Sequence, residues 1–164
     1  MDFKDVVNNR HSIRQFLSDP VSIEKIKEIL TVAQLAPSAG NRQAYRVVIV
    51  TNMERNALLS RVVAPVKVVF CAAVEESEQR YGDRGRALYA VQDATILAAY
   101  FQLALVNDGL ASVWEGGFWT ERVKGLVEIE DNFIPVAIIA VGYPAIEKSG
   151  HRRKLLDEIV LKVI

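Results

Sequence analysis

Cysteine and histidine are almost missing from this chain: its 164 residues hold one cysteine, Cys71, and two histidines, His11 and His151. A single thiol excludes an intrachain disulfide, and its place inside the apolar run from Val66 to Val74 makes it a buried, inert side chain. So few scattered ligands do not close a zinc site, and no metal is expected. Net charge is absent as well, since twenty Lys and Arg balance twenty Asp and Glu. That removes the long-range attraction needed by a nucleic-acid or membrane-surface protein, so neither partner is expected and any phosphate must be met by a local cluster. The opening Met1-Asp2-Phe3-Lys4-Asp5 lacks the basic-then-apolar order of a secretion signal, and no uncharged stretch is long enough to cross a bilayer. A cytoplasmic location is the default expectation. Glycine-rich dinucleotide and Walker loops are missing, as is a nucleophile elbow. An enzyme built from this chain must therefore borrow its chemistry from a bound organic cofactor.

Hydrophobic residues, at 51% of the chain, are plentiful. The length fits one domain over residues 1–164, and a mean hydropathy of +0.14 leaves apolar surface for a dimer to bury. Phe3, Val6 and Val7 form a short helical stripe, and Ser22 caps a helix carrying Ile23, Ile26, Ile29, Leu30 and Ala33, which Pro37 stops. Tyr45 to Thr51 and Val66 to Val74 read as buried strands, with a helix over Met53 to Arg61 between them. Glu75 to Arg86 reads as a charged surface stretch. Ala87 to Val106 is apolar almost all round, the pattern of a long helix buried at the centre, and Asn107-Asp108-Gly109 stops it. Leu110 to Trp114 and Pro135 to Gly142 read as further strands, separated by a helix that Thr120 caps and that ends near Val127; Lys154 to Ile164 is an apolar tail. The pattern supports a helix-flanked mixed sheet without fixing strand order.

Four segments carry chemistry. Arg10, Ser12 and Arg14 alternate, so an extended backbone would turn two guanidinium forks and a hydroxyl to one side, towards an anion or simply towards solvent and surface carboxylates. Pro37 to Gln43 is a loop of small polar residues ending in the amides of Asn41 and Gln43, able to read a heterocycle edge or to serve as an ordinary turn. Trp114-Glu115-Gly116-Gly117 places two glycines at a strand end, where backbone N–H groups can approach a flat ligand or make a tight turn. His151-Arg152-Arg153-Lys154 is a basic run after Gly142-Tyr143-Pro144, a solvated face unless it folds back towards Arg10.

Together these segments resemble the nitroreductase family of flavin mononucleotide (FMN) enzymes. The opening Arg-x-Ser-x-Arg with a following aromatic stands at Arg10 to Phe16, Ala-Pro-Ser-x-x-Asn-x-Gln at Ala36 to Gln43, the long apolar helix leading to Gly-Leu and a Trp-plus-glycine turn at Ala87 to Gly117, and Gly-Tyr-Pro with a basic cluster at Gly142 to Arg153. The resemblance implies an α+β fold, a mixed and largely antiparallel sheet flanked by helices around a long central helix. It implies a homodimer with FMN in clefts between subunits, reduced by NADH or NADPH in a ping-pong reaction with a nitroaromatic, quinone or other small acceptor. Arg10, with Arg152 or Arg153, would hold the phosphate, Ser12 and Arg14 the ribityl chain and pyrimidine edge, and His11 would be a further cofactor-binding residue. Pro37, Ser38, Ala39 and Asn41 would approach from the partner subunit, and Gln43 would be a further cofactor-binding residue. Trp114, Glu115, Gly116 and Gly117 would lie along the ring, with Glu115 and Gly116 orienting flavin N5 and no protein group acting as nucleophile. A family member with a specialised substrate and a non-catalytic FMN-binding protein are the alternatives. Three departures stand out: Gln43-Ala44-Tyr45 where the family usually has Gln-Pro-Trp, little sequence for a lid over Glu75 to Arg86, and a brief C-terminal arm, Leu155 to Ile164.

Overall fold

Two strands of this protein, β2 (Val66–Ala73) and β4 (Phe133–Gly142), are apolar on both faces, apart from Lys67 in β2, because both faces are covered. A computed structural model describes residues 1–147, 150 and 152–164. The remaining elements are α1 (Phe3–Asn9), α2 (Ile23–Ala33), β1 (Tyr45–Val50), α3 (Met53–Leu59), α4 (Val74–Arg84), α5 (Ala90–Asn107), β3 (Ala111–Glu115) and α6 (Thr120–Val127). The sheet order is β1-β2-β4-β3 with every neighbouring pair antiparallel. Along β2, Val66, Val68 and Phe70 pack with Leu97, Phe101 and Leu105 of α5 and with Ile26 and Ile29 of α2. The alternate residues Val69 and Cys71 meet Leu59 of α3 and Val123 of α6 on the other face. This period of two, buried both ways, places the central strands between two helical layers. Burial pushes the Cys71 thiol up to about 12, in keeping with an inert core residue.

The α+β expectation holds, with three local differences. The charged stretch after β2 is helical: α4 kinks at Gly82, whose φ of 56° and ψ of −147° suit glycine, and passes through a π turn at Gly85–Tyr89 into α5. Its polar side chains hid a helix that extends the central one towards β2. The continuous helical run over 74–107 is long and apolar enough to span a membrane by length and composition, but half of that apolar window is buried, with α5 packed against the sheet. Thr120 is the first residue of α6 and not its cap, because Trp119 occupies the cap position and no side-chain bond closes it. The helix after β1 ends at Leu59, two residues earlier than its pattern suggested. Elsewhere the capping chemistry is as read: Ser22 Oγ accepts from the Lys25 N–H at 3.1 Å, and Gly109 adopts a φ of 75° after α5.

Candidate active site

The strip from Arg10 to Phe16 is extended and lies beyond β3, bridging to it at Ser12 and Ser112. Ile13 donates its N–H to the Ser112 carbonyl at 3.0 Å, and Leu17 donates to the Tyr143 carbonyl at 2.9 Å. Ile13 is buried while Arg10, His11 and Ser12 are half-buried and Arg14 is exposed. Anchoring of the apolar residue thus presents its polar neighbours at the sheet edge. A Cβ built on Gly150 would lie 3.9 Å from His11 Cε1, so the chain before the basic run returns to this strip. His151 lies outside the described residues, and Arg152 and Arg153 are exposed. Among the described residues Arg10, Arg14, Arg152 and Arg153 form no ion pair.

Pro37, Ser38, Ala39, Asn41 and Gln43 lie at the other edge of the sheet, leading into β1. Gly40, Asn41 and Gln43 all have left-handed backbones, with φ of 54°, 54° and 50°. Two bonds hold this conformation: the Gln43 N–H donates to Ser38 Oγ at 3.1 Å, and the Ala39 N–H donates to Asp93 Oδ1 at 2.9 Å. Asp93 is buried on α5, and neither its Oδ2 nor the Tyr45 hydroxyl has a hydrogen-bond partner among the described residues. Burial first, and the charge of Asp93 second, push the Tyr45 phenol above its ordinary value. Strained non-glycine residues held by side-chain bonds cluster at functional loops. From β1 across to the strip beyond β3 there are four inter-strand steps of about 4.8 Å, roughly 19 Å in all. The loop and the strip therefore lie at opposite edges of the sheet.

The third piece is the end of β3. Trp114 packs towards α5, so alternation turns Glu115 to the opposite face, where its Oε1 accepts from Ser60 Oγ at 2.7 Å. Beneath them lies Lys67, fully buried, whose Nζ donates to the carbonyls of Asn56 at 2.7 Å and Ser60 at 3.1 Å. Desolvation lowers the Lys67 ammonium below its ordinary 10.5, partly countered by the charge of Glu115. A Cβ on Gly117 would meet nothing within 4 Å, and one on Gly116 only the Trp114 indole at 3.6 Å, so this backbone faces open space. Ser60, Lys67 and Asp93 escaped sequence reasoning. Lys67 and Asp93 had a legible signal, each a lone charge within an apolar run, whereas Ser60 had none.

A family model described as the nitroreductase family matches residues 7–67 and 54–143. A Thermus thermophilus protein named NADH dehydrogenase is 30% identical over 196 aligned positions, covering 98% of this chain and 96% of its own. A Bacillus subtilis FMN reductase (NADPH) is 25% identical, over 95% of this chain and 71% of its own. A solved nitroreductase family protein from Streptococcus pneumoniae superposes with a TM-score of 0.90 at 25% identity, over 99% of this chain and all of its own. The chain belongs to the nitroreductase family and is an enzyme of the oxidoreductase class.

Proposed function

We propose that the protein is a homodimeric, FMN-dependent NAD(P)H oxidoreductase that reduces a nitroaromatic, quinone or other small acceptor in ping-pong order, the dinucleotide leaving before the acceptor enters. The observation that carries this reading is the set of guanidinium groups on and near the β3-edge strip that form no ion pair among the described residues, together with the open backbone of Gly116 and Gly117 at the end of β3. The donor set fits an anionic, flat cofactor with a polar rim.

In this reading Arg10, with Arg152 or Arg153, binds the phosphate by charge-assisted bonds, and His11 and Ser12 line the sugar chain. Arg14 stabilises negative charge at the pyrimidine edge, the role of a fixed cation placed where charge develops. The Glu115 and Gly116 backbone orients the ring centre, with Trp114 and Gly117 beside it. Bound there, FMN supplies two-electron transfer between reduced nicotinamide and the acceptor. Pro37, Ser38, Ala39, Asn41 and Gln43 come from the partner subunit, which explains why they sit at the far sheet edge from the strip. Exposed apolar side chains support a second copy: Phe3 and Val7 on α1, Tyr100 on α5, and Leu161, Val163 and Ile164 in the tail.

The test is the absorbance of the purified protein before and after anaerobic addition of NADH or NADPH. Yellow protein that bleaches supports the proposal. Yellow protein that does not bleach indicates flavin binding without this reductant, and colourless protein that FMN does not reconstitute refutes the reading.

A further inference from the structure

A cleft of about 530 Å³ opens between α3 and α6 at the end of β3, on the face away from α5. That volume accommodates a small cyclic ligand. Its floor is apolar, made by Leu59, Val123 and Ile138. Phe118 and Trp119 form one wall, and the Trp119 indole is 86% exposed. Two cations also line it. Arg61 makes no hydrogen bond or ion pair among the described residues, and Arg122 uses Nη2 for the Leu58 carbonyl at 3.2 Å. Lys67 adds a third positive charge below, while Glu115, already accepting from Ser60, is the single acid lining the cleft.

We propose that this cleft binds a small aromatic monocarboxylate and selects such a molecule as electron acceptor; the second half of the statement rests on the function proposed above. Aromatic walls over an apolar floor suit a ring. A guanidinium fork suits a carboxylate, and the cationic excess favours an anion. Glu115 argues against a dianion such as a phosphate monoester, whose repulsion from a fixed carboxylate is doubled. Gly117 lines the cleft as well as the β3 terminus, so a ligand here adjoins the backbone assigned to the flavin ring. The family match divides where this cleft is walled: its two segments overlap at 54–67, over α3 and the short link to β2. The Thermus alignment, at 196 positions, is longer than the 164-residue chain, so the relative carries insertions that this chain does without. The link from α3 to β2, residues 60–65, is short, and its Ser60 and Arg61 line the cleft.

Isothermal titration of the purified protein with 4-nitrobenzoate, against neutral 4-nitrobenzyl alcohol, tests the assignment. The carboxylate is expected to bind about tenfold tighter or more, the scale of one charge-assisted bond. Arg61→Gln should erase most of that preference, and Trp119→Leu, at an exposed position that folding does not need, should weaken both ligands. Equal affinity for the two probes, or a preference that survives Arg61→Gln, overturns the proposal. Absorbance of the same samples separates the two readings. Colourless protein that FMN does not reconstitute but that still discriminates keeps the cleft and sinks the flavin assignment, while yellow, bleachable protein that does not discriminate does the reverse.

Discussion

Phe16 lies so close to Gly142 that a Cβ on the glycine would sit 3.0 Å from the Phe16 Cβ and 2.9 Å from Pro65 Cδ. The strip carrying Arg10 and Arg14 is thus seated on β4 by a contact that a side chain at position 142 would break.

Gly142→Ala is expected to destabilise the protein by about 1–3 kcal/mol, the usual cost of overpacking a tight site. Flavin affinity should fall with it, because relief requires Phe16 and the strip to move outwards. Urea unfolding and a flavin fluorescence titration measure the two effects. Unchanged stability would show that the contact is easily relaxed.

Asp93 restrains the opposite edge. Removing its Oδ1 in Asp93→Ala leaves the Ala39 N–H unpaired and should cost about 1.5–3 kcal/mol, as for a hydrogen bond to a charged group. Asp93→Asn keeps an acceptor in place and should cost less. If urea melts of the two variants coincide, the Ala39 bond does not hold the loop.

The proposed function gives the strip's cations separable roles. Arg10→Ala should weaken FMN binding roughly tenfold to a hundredfold, the loss of one charge-assisted bond to phosphate. Arg14→Ala should instead shift the flavin potential to more negative values, since the reduced form loses a stabilising charge. Spectroelectrochemical titration reads the second effect, and an unaltered potential would remove Arg14 from that role.

The surface pair Lys25–Asp108 gives a pH window. The hydrogen bond from Lys25 holds the Asp108 carboxyl below its ordinary 3.8, against a smaller opposing effect of burial. The same bond holds Lys25 above its ordinary 10.5. Asp108, being depressed, contributes stability that is complete above 3.8 and lost as pH falls through its folded value. Lys25, being raised, contributes stability that is complete below 10.5 and lost as pH rises through its folded value. Asp108→Asn should therefore melt slightly below wild type across 3.8 to 10.5, by the small amount typical of solvent-screened pairs. Thermal melts at several pH values should show the gap closing in acid. A constant gap would exclude this pair as its cause.

Much of the fold was legible because burial here follows simple periods. β4 is a continuous apolar run and β2 one broken only by Lys67, since both faces are covered, and α5 is apolar nearly all round for the same reason. The α4 helix was not legible, because its polar side chains give no apolar stripe and Gly82 kinks it. For the site, the alternation of Arg10, Ser12 and Arg14 turns them to one side only if the backbone is extended, and the sequence left that open; the structure has an extended backbone there, with Ile13 buried and Ser12 bridged to Ser112. The Ser60–Glu115–Lys67 cluster could not be read. It depends on small Ala140 lying beside Lys67 on β4 and on α3 ending over the strand, relationships that appear only after folding.

The separation of loop and strip across the sheet has a genetic consequence. If each catalytic centre draws its strip from one copy and its loop from the other, two inactive variants can rescue each other. Mixing an Arg10→Ala copy with one disabled at Ser38 would give heterodimers in which both lesions fall into one centre and the other is intact. Intersubunit complementation of this kind, approaching half of normal specific activity per mixed dimer, would arise from pairing alone without restoring either chain.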